Sequence, residues 1–203
     1  MKKLFVFILS LSFVNVIFSI DINESNFLEF LSSKEFISAK FIQTTNNNYQ
    51  ERKITGELKA NRKGMFKVVY GEPLNEIISS NGHQLFRLDK EIEQLDISSI
   101  DSTVSESPIG IFSSNPKELE NIFLVTECSS EGNLLQCLLE PKLANSFLKF
   151  LSIELINDEL NSLTYIDTFD QTVSLYFLNL SWKTILDEEF LLDIPEGIDV
   201  INH

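Results

Sequence analysis

The stretch that decides the fold runs from Ile54 to Ile97 and reads ITGELKANRKGMFKVVYGEPLNEIISSNGHQLFRLDKEIEQLDI. Its first residues alternate between apolar or small side chains and polar ones, which is the period-two pattern of a half-buried strand. Turn-forming residues, such as the Asn-Gly pair at Asn81, then separate one short run from the next. Such a meander builds a sheet that curls around an apolar interior, so the pattern favours a container over a catalyst.

Short strands and turns continue along most of the chain. A short helix is predicted over Asn23–Leu31, and a second begins at Asn115, where a cap candidate precedes Pro116. Both faces of the last long strand are apolar, which predicts that it is covered on two sides. The predicted strands span residues 36–45, 49–60, 65–71, 75–80, 84–88, 92–97, 123–128, 134–140, 150–157, 163–169 and 172–182.

The N-terminus has the pattern of an export signal. Lys2 and Lys3 precede a long apolar run, acidic residues follow it, and Ser19 is a small residue suited to the position before a cleavage site. These features predict a cleaved signal peptide over residues 1–19 and a single domain over residues 20–203. The alternative interpretation of the apolar run is a retained N-terminal anchor.

The chain is strongly acidic, with a formal net charge of −14 that becomes −16 when Lys2 and Lys3 leave with the signal. Its basic residues are not clustered, so the composition argues against a nucleic-acid partner. The acidity suits a protein that visits anionic membranes without adhering to them, and it equally suits solubility alone.

Cys128 and Cys137 are the only cysteines, and they lie on the two arms of a predicted hairpin. In an oxidising compartment, two thiols that face each other across a hairpin are most simply a structural disulfide. The spacing excludes a CxxC redox motif, and no histidine cluster accompanies the pair to form a zinc site.

The chain offers little for catalysis. Its two histidines are His83, in a predicted turn, and His203, at the C-terminus, and neither lies in a nucleophile motif such as GxSxG. The sequence contains no P-loop, dinucleotide fingerprint or EF-hand. We therefore expect a protein that is not an enzyme and that uses no catalytic residue, cofactor or metal.

Arg62 is one of three arginines and stands at the entry of a predicted strand. Counting by twos places Phe66, Val68 and Tyr70 on the same face of that strand as Arg62. An arginine at the rim of an aromatic-lined face can donate several hydrogen bonds to backbone carbonyls and so fasten a lid. The pattern alone favours a solvated turn residue, so both interpretations stay open.

The segment between Ser98 and Ser114 interrupts the succession of strands. It is rich in serine and has neither strict alternation nor a long helical period. Ile109, Ile111 and Phe112 nevertheless lie close together in it. Apolar residues in such a connector are typical of a segment that folds over something, such as a lid.

Taken in order, these motifs resemble the LolA family of periplasmic lipoprotein carriers of Gram-negative bacteria. The family's F-x-Q strand is similar to Phe41-Ile42-Gln43, its G-x-L strand to Gly56-Glu57-Leu58, and its R-P-G-x-F element to Arg62-Lys63-Gly64-Met65-Phe66. The later family motifs resemble Pro73, Ile77-Ile78-Ser79-Ser80-Asn81-Gly82, Leu85, Phe86, Asp89, Asp187, Phe190, Pro195, Gly197, Asp199, Val200 and Ile201.

The resemblance implies a mainly β fold with short helices, built as an incomplete, unclosed antiparallel β-barrel of about eleven strands with a helical lid. It implies a periplasmic chaperone that binds acyl chains of lipoproteins in a hydrophobic cavity and carries them from the inner to the outer membrane. The implied partners are acylated lipoproteins, an inner-membrane ABC-type lipoprotein-releasing complex and an outer-membrane lipoprotein receptor. We expect the protein to be a monomer.

The resemblance also implies roles for particular residues. It makes Arg62 the latch that holds the lid in the free protein. It places Phe66, Val68 and Tyr70 in contact with the acyl chains, and it puts the lid at Ile109, Ile111 and Phe112. The chain departs from the family pattern at Lys63, where a proline is usual, at Val68, where a tryptophan is common, and in its cysteine hairpin.

Two other classes of function stay open at this point. A sensor or regulator with the same barrel would bind stray lipid or lipoprotein in the periplasm and signal envelope stress. A hydrolase acting on lipid would need a serine or His83 as a catalytic residue.

Overall fold

The computed structural model of the protein describes residues 22–47, 50–100, 104 and 107–203. The predicted signal peptide, residues 1–19, lies outside the described residues. In chain order, the helices and strands are α1 (Phe27–Ser32), β1 (Phe36–Asn47), β2 (Gln50–Asn61), β3 (Met65–Tyr70), β4 (Glu76–Asn81), β5 (Gln84–Asp89), β6 (Gln94–Ser99), α2 (Gly110–Ser113), α3 (Pro116–Ile122), β7 (Phe123–Glu131), β8 (Leu134–Pro141), β9 (Leu148–Ile156), β10 (Glu159–Asp167), β11 (Thr172–Ser181), a 3-10 helix (Asp187–Phe190) and β12 (Asp199–Asn202).

The strands of the described residues form one twelve-stranded sheet in the order β12-β6-β5-β4-β3-β2-β1-β11-β10-β9-β8-β7. Neighbouring strands are antiparallel, except that β12 runs parallel to β6. The sheet is open, because β12 and β7 are its two edges and do not pair with each other. The mainly β, incomplete barrel predicted from the sequence is therefore confirmed.

The eleven predicted strands correspond to β1–β11, with ends that differ by no more than four residues. The twelfth strand, β12, is not predicted by the sequence pattern, because its residues are all exposed and show no alternation. Backbone hydrogen bonds define its position: the Asp199 amide donates to the Glu93 carbonyl at 3.0 Å, and the His203 amide donates to the Ile97 carbonyl at 2.9 Å.

The helices pack on the inner face of the sheet and share one core with it. Phe27 of α1, Phe112 of α2 and Leu119 of α3 belong to the same buried cluster as the inward-facing residues of the strands. The predicted start of α3 is confirmed, because the Asn115 side chain accepts a hydrogen bond from the Glu118 amide at 3.0 Å. Burying these side chains against the sheet supplies stability that such short helices lack alone.

The outer face of β11 is open to solvent, so the prediction that this strand is covered on two sides is wrong. Phe177 is buried, whereas Tyr176 and Leu178 are 49% and 48% exposed. The segment that follows β11 crosses the outer face at β2, where Lys59 and Glu189 form an ion pair at 2.6 Å. It covers that part of the sheet and leaves the outer side of β11 exposed.

Gly56 of β2 explains why the F-x-Q and G-x-L motifs occur together. It pairs with Phe41 of β1 on one side and with Tyr70 of β3 on the other. The rings of Phe41 and Tyr70 meet edge to face, with centroids 5.6 Å apart. A Cβ at position 56 would overlap the Phe41 ring and lie 2.6 Å from the Val69 carbonyl oxygen. Only glycine leaves room for this ring contact.

We expect Gly56→Ala to lower the free energy of unfolding by about 1–3 kcal/mol, which is typical of overpacking. For a chain of this size the melting temperature should fall by roughly 2–4 °C for each kcal/mol. The matched control is Gly71→Ala, whose Cβ would meet its nearest atoms, both of Thr55, at 3.3 Å. Equal melting temperatures for the two variants would contradict the proposed role of Gly56.

The structure joins Cys128 of β7 and Cys137 of β8, which lie directly opposite each other, in a disulfide. Their Cα atoms are 4.2 Å apart, and Cys137 is fully buried. The Cys128 amide, on the edge strand, donates to the Glu24 carboxylate at 2.8 Å. The disulfide therefore ties the edge strand β7 to its neighbour, and Glu24 covers one of its free donors.

We expect the double variant Cys128→Ser/Cys137→Ser to unfold at a lower urea concentration than the wild type. The loop closed by the disulfide spans nine residues in sequence separation, and a loop of that size is worth about 2–3 kcal/mol in the chain-entropy treatment. A reductant should destabilise the wild type by a similar amount and leave the double variant unchanged. If the reductant also destabilised the double variant, the loss of stability would not come from this disulfide.

Candidate functional site

A cavity of about 330 Å³ lies between the inner face of the sheet and the lid segment, which we define as residues 107–114. This volume falls at the small end of the range for ligand-binding pockets. The walls are mostly apolar and come from β1–β5, β10, β11, Val104 and the lid segment. The lining residues are Phe41, Gln43, Leu58, Phe66, Val68, Tyr70, Ile78, Leu85, Val104, Ser107, Pro108, Ile109, Phe112, Leu163, Tyr165 and Leu175.

The three residues predicted to line the cavity, Phe66, Val68 and Tyr70, all lie in its wall. They alternate along β3 and point inward, as the period-two pattern requires. The opposite wall, formed by Leu163 and Tyr165 of β10 and their neighbours, is not predicted by the sequence pattern. Alternation marks both strands as inward-facing, but a cavity wall and a packed core produce the same alternation.

The three residues predicted to form the lid are in two different places. Ile109 and Phe112 line the cavity, and the Phe112 ring packs edge to face on Phe177 with centroids 5.7 Å apart. Ile111 does not line the cavity; its side chain is fully buried in the core cluster. The lid segment is therefore held from both sides, with one face on the cavity and the other in the core.

Arg62 lies at the end of β2, between α1 and the lid segment. Its Nε donates to the Lys34 carbonyl at 3.1 Å, and its Nη2 donates to the Leu31 carbonyl at 2.7 Å. Its Nη1 donates to the Ile111 carbonyl and, at 3.2 Å, to the Ser114 carbonyl. One guanidinium therefore joins the C-terminal end of α1 to the C-terminal end of α2.

The carbonyl groups that Arg62 contacts favour a positively charged donor. The last carbonyls of a helix have no partner within the helix and carry partial negative charge, so a guanidinium both satisfies and complements them. Burial lowers the pKa of Arg62 to about 10, so the side chain stays charged at neutral pH. Arg62 is half-buried and fully engaged, and it is not the solvated turn residue that the pattern alone favours.

The turn after β2 holds its shape without the proline usual in the family. The Asn61 side-chain oxygen accepts hydrogen bonds from the amides of Lys63, at 3.0 Å, and Met65, at 3.2 Å. Gly64 adopts a φ of +81°, which favours glycine, and its amide donates to the Ser113 carbonyl at 3.1 Å. The turn therefore contacts the lid segment through its backbone as well as through Arg62.

Two tyrosine hydroxyls interrupt the apolar wall. Burial raises the pKa of Tyr70 to about 12, and the negative charge of Glu76 adds to this effect. Burial also raises the pKa of Tyr165, with smaller contributions from Tyr70 and Asp167. Both side chains are therefore neutral at physiological pH, and each can donate a hydrogen bond into the cavity.

The rest of the described chain offers few features of other kinds of site. Within residues 22–47, 50–100, 104 and 107–203, no group of three or more His, Cys, Asp or Glu side chains is placed to hold a metal ion. No helix of that same part is long and apolar enough to cross a membrane. His83 is exposed in the turn between β4 and β5. The apolar cavity under the lid segment is the candidate functional site.

The fold and the site place the chain in the class of proteins whose open, mainly antiparallel sheet encloses an apolar cavity under a helical lid. Comparison with known sequences identifies the family within that class. The family described as "Outer membrane lipoprotein carrier protein LolA" matches residues 32–193. The chain belongs to this family.

Sequence relatives agree with the family match, and a solved structure shares the fold. The outer-membrane lipoprotein carrier protein of Hahella chejuensis is 30% identical over 175 residues, which cover 84% of each chain. The protein of that name from Pseudomonas aeruginosa is 25% identical over 174 residues, covering 84% of this chain and 83% of the relative. A LolA superfamily protein from Nitrosomonas europaea shares the fold with a TM-score of 0.50 at 9% identity, covering 85% of this chain and 99% of that one.

We expect Arg62→Leu to loosen the lid segment while leaving the sheet folded. A hydrogen bond to a charged group contributes about 1.5–3 kcal/mol, so the amides of residues 112–114 should exchange with solvent at least roughly tenfold faster. The measurement is hydrogen exchange followed by mass spectrometry. The matched control is Arg52→Leu, which removes an exposed arginine of β2. Unchanged exchange in the Arg62 variant would contradict its role in holding the lid.

Proposed function

We propose that this protein is a periplasmic chaperone that holds acyl chains of lipoproteins in its cavity and carries them from the inner to the outer membrane. The observation that carries the proposal is the apolar cavity under a fastened lid, in a chain whose relatives are named outer-membrane lipoprotein carrier proteins. Phe66, Val68 and Tyr70 are the proposed contacts for the acyl chains. Ile109 and Phe112 close the cavity from the lid side.

The energetics of acyl transfer explain why such a cavity is needed. Each methylene group that leaves a membrane for water costs about 0.8 kcal/mol, so an acylated protein does not cross an aqueous compartment unaided. A soluble carrier must offer a comparable apolar shelter. The cavity under the closed lid is small, and lifting the lid segment would widen it, because Ile109 and Phe112 form part of its wall.

Arg62 is the proposed latch of this cycle. In the free protein its guanidinium holds the carbonyl ends of α1 and α2, which keeps the apolar wall away from water. Cargo that enters the cavity displaces the lid segment, and water can then satisfy the released carbonyls. The latch consists of hydrogen bonds to neutral groups and needs no buried ion pair, so opening it does not strand an opposite charge.

The proposed partners follow from the direction of transport. An inner-membrane ABC-type lipoprotein-releasing complex would supply the cargo, and an outer-membrane lipoprotein receptor would accept it. The net charge of −14 gives the carrier an acidic surface that anionic lipid headgroups repel. Transfer would then depend on protein partners at each membrane and not on adhesion to the lipid.

Depletion of the protein in the cells that encode it should cause outer-membrane lipoproteins to accumulate at the inner membrane. Wild-type protein should restore sorting, and Leu175→Trp should not, because the larger side chain fills the space that the acyl chain needs. Membrane fractionation followed by immunoblotting measures the distribution. The matched control is Leu178→Trp, which places the same ring on the exposed outer face of β11.

Circular dichroism and melting temperature establish that both tryptophan variants fold. Unchanged lipoprotein sorting after depletion would rule out the carrier function. Full restoration by folded Leu175→Trp would mean that the cavity is not where the cargo binds.

A further inference from the structure

The hydroxyls of Tyr70 and Tyr165 differ from the other polar groups of the cavity wall. The Gln43 side chain donates to the Thr45 hydroxyl at 3.3 Å, and the Ser107 hydroxyl donates to the Val104 carbonyl at 2.6 Å. Within residues 22–47, 50–100, 104 and 107–203, neither tyrosine hydroxyl has a hydrogen-bond partner, although both side chains line the cavity. Two donors are therefore available to whatever occupies this space.

Both hydroxyls open onto the cavity, where phenylalanine would fill nearly the same volume without offering a donor. The two tyrosines also stand apart in the sheet. Tyr70 is on β3 and Tyr165 is on β10, with β2, β1 and β11 between them. Because the sheet curls, they approach the cavity from opposite walls, and a ligand between them would be contacted from two sides.

The charges around the cavity indicate which acceptor these donors suit. None of the described lining residues is Lys, Arg or His. Arg62 directs its donors to four backbone carbonyls, two at the C-terminal end of α1 and two in the lid segment. Glu76 is buried beside Tyr70 and is paired with Arg87, so the Arg87 cation is also already engaged. A carboxylate would enter this cavity without a counter-ion, whereas a neutral carbonyl would meet two neutral donors.

We propose that Tyr70 and Tyr165 form a polar subsite that donates hydrogen bonds to the ester carbonyl oxygens of bound acyl chains. The subsite makes the cavity selective for esterified chains over free fatty acids, which are present in the same membranes and have similar apolar tails. This inference rests on the proposed function, because it names the part of the cargo that the same cavity recognises.

The ring of Tyr70 is held in place for this role. It packs edge to face on Phe41, and Phe41 lies against Gly56, the glycine of the G-x-L motif. Tyr165 is paired in the sheet with Val173 of β11 and Leu151 of β9, so its backbone is held from both sides. Neither hydroxyl depends on the lid segment for its position.

The test compares Tyr70→Phe, Tyr165→Phe and the double variant with wild type in the purified full chain. The probes are methyl laurate and laurate, which share a chain and differ in charge, and each is titrated to displace the neutral dye N-phenyl-1-naphthylamine. The matched control is Tyr176→Phe, which removes the hydroxyl of an exposed tyrosine on β11. The affinity of the dye itself reports whether the cavity is intact.

We expect wild type to bind methyl laurate more tightly than laurate at pH 7.5. Each cavity variant should bind methyl laurate about 3- to 10-fold more weakly, the effect of losing one neutral hydrogen bond, and should bind the dye as wild type does. The control variant should match wild type for every ligand. The free cavity variants should melt no lower than wild type, because their missing hydroxyls have no partner among the described residues of the free protein.

Two results would overturn the subsite. One is unchanged methyl laurate affinity in the double variant, which would mean that water alone satisfies the hydroxyls. The other is laurate binding as tight as that of its ester, which would remove the selectivity. Both leave the apolar cavity, and with it the proposed carrier function, intact. Failure of wild type to bind the dye and the ester at all would instead count against the carrier function itself.

Discussion

The structure depends on one arginine that satisfies the carbonyl ends of two helices. The donors of Arg62 reach Leu31 and Lys34 on one side and Ile111 and Ser114 on the other. The helix α2 has only four residues and would not persist alone. Its position over the sheet comes from this contact and from burial of its apolar side chains. The lid segment covers the cavity because Arg62 holds it in place.

In the proposed carrier cycle, the same arrangement would balance binding of an acyl chain against its release. An apolar wall binds an acyl chain with a free energy roughly proportional to the apolar surface that is buried. This interaction does not depend on the orientation of the chain. In that proposal Arg62 adds directional contacts at the lid segment, and the two tyrosine hydroxyls add them at the cavity wall. The described wall residues are all uncharged, so a hydrogen bond from either hydroxyl would contribute modestly and could be exchanged for water. A carrier needs contacts of this strength at both ends of its cycle.

Several features of the fold were predictable because they depend on neighbours in sequence. Alternation revealed strands β1–β11, and the cap at Asn115 revealed the start of α3. β12 was missed because its exposed residues have no alternation and its pairing with β6 is made by the backbone alone. The outer face of β11 was misread as covered, because apolar side chains look the same whether or not another segment packs on them.

The candidate site likewise combines features that the sequence predicts with features that only the structure shows. Counting by twos from Arg62 predicts that Phe66, Val68 and Tyr70 share a face, and in the structure all three line the cavity. The sequence by itself determined the strands, their inward faces and, by resemblance, the family. Only the tertiary structure decided which inward residues line a cavity, what Arg62 contacts and that Tyr70 and Tyr165 face the same cavity from opposite walls. These contacts join segments that are far apart in the chain. Periodicity distinguishes the two faces of one strand, but it does not show which other segment packs on either face.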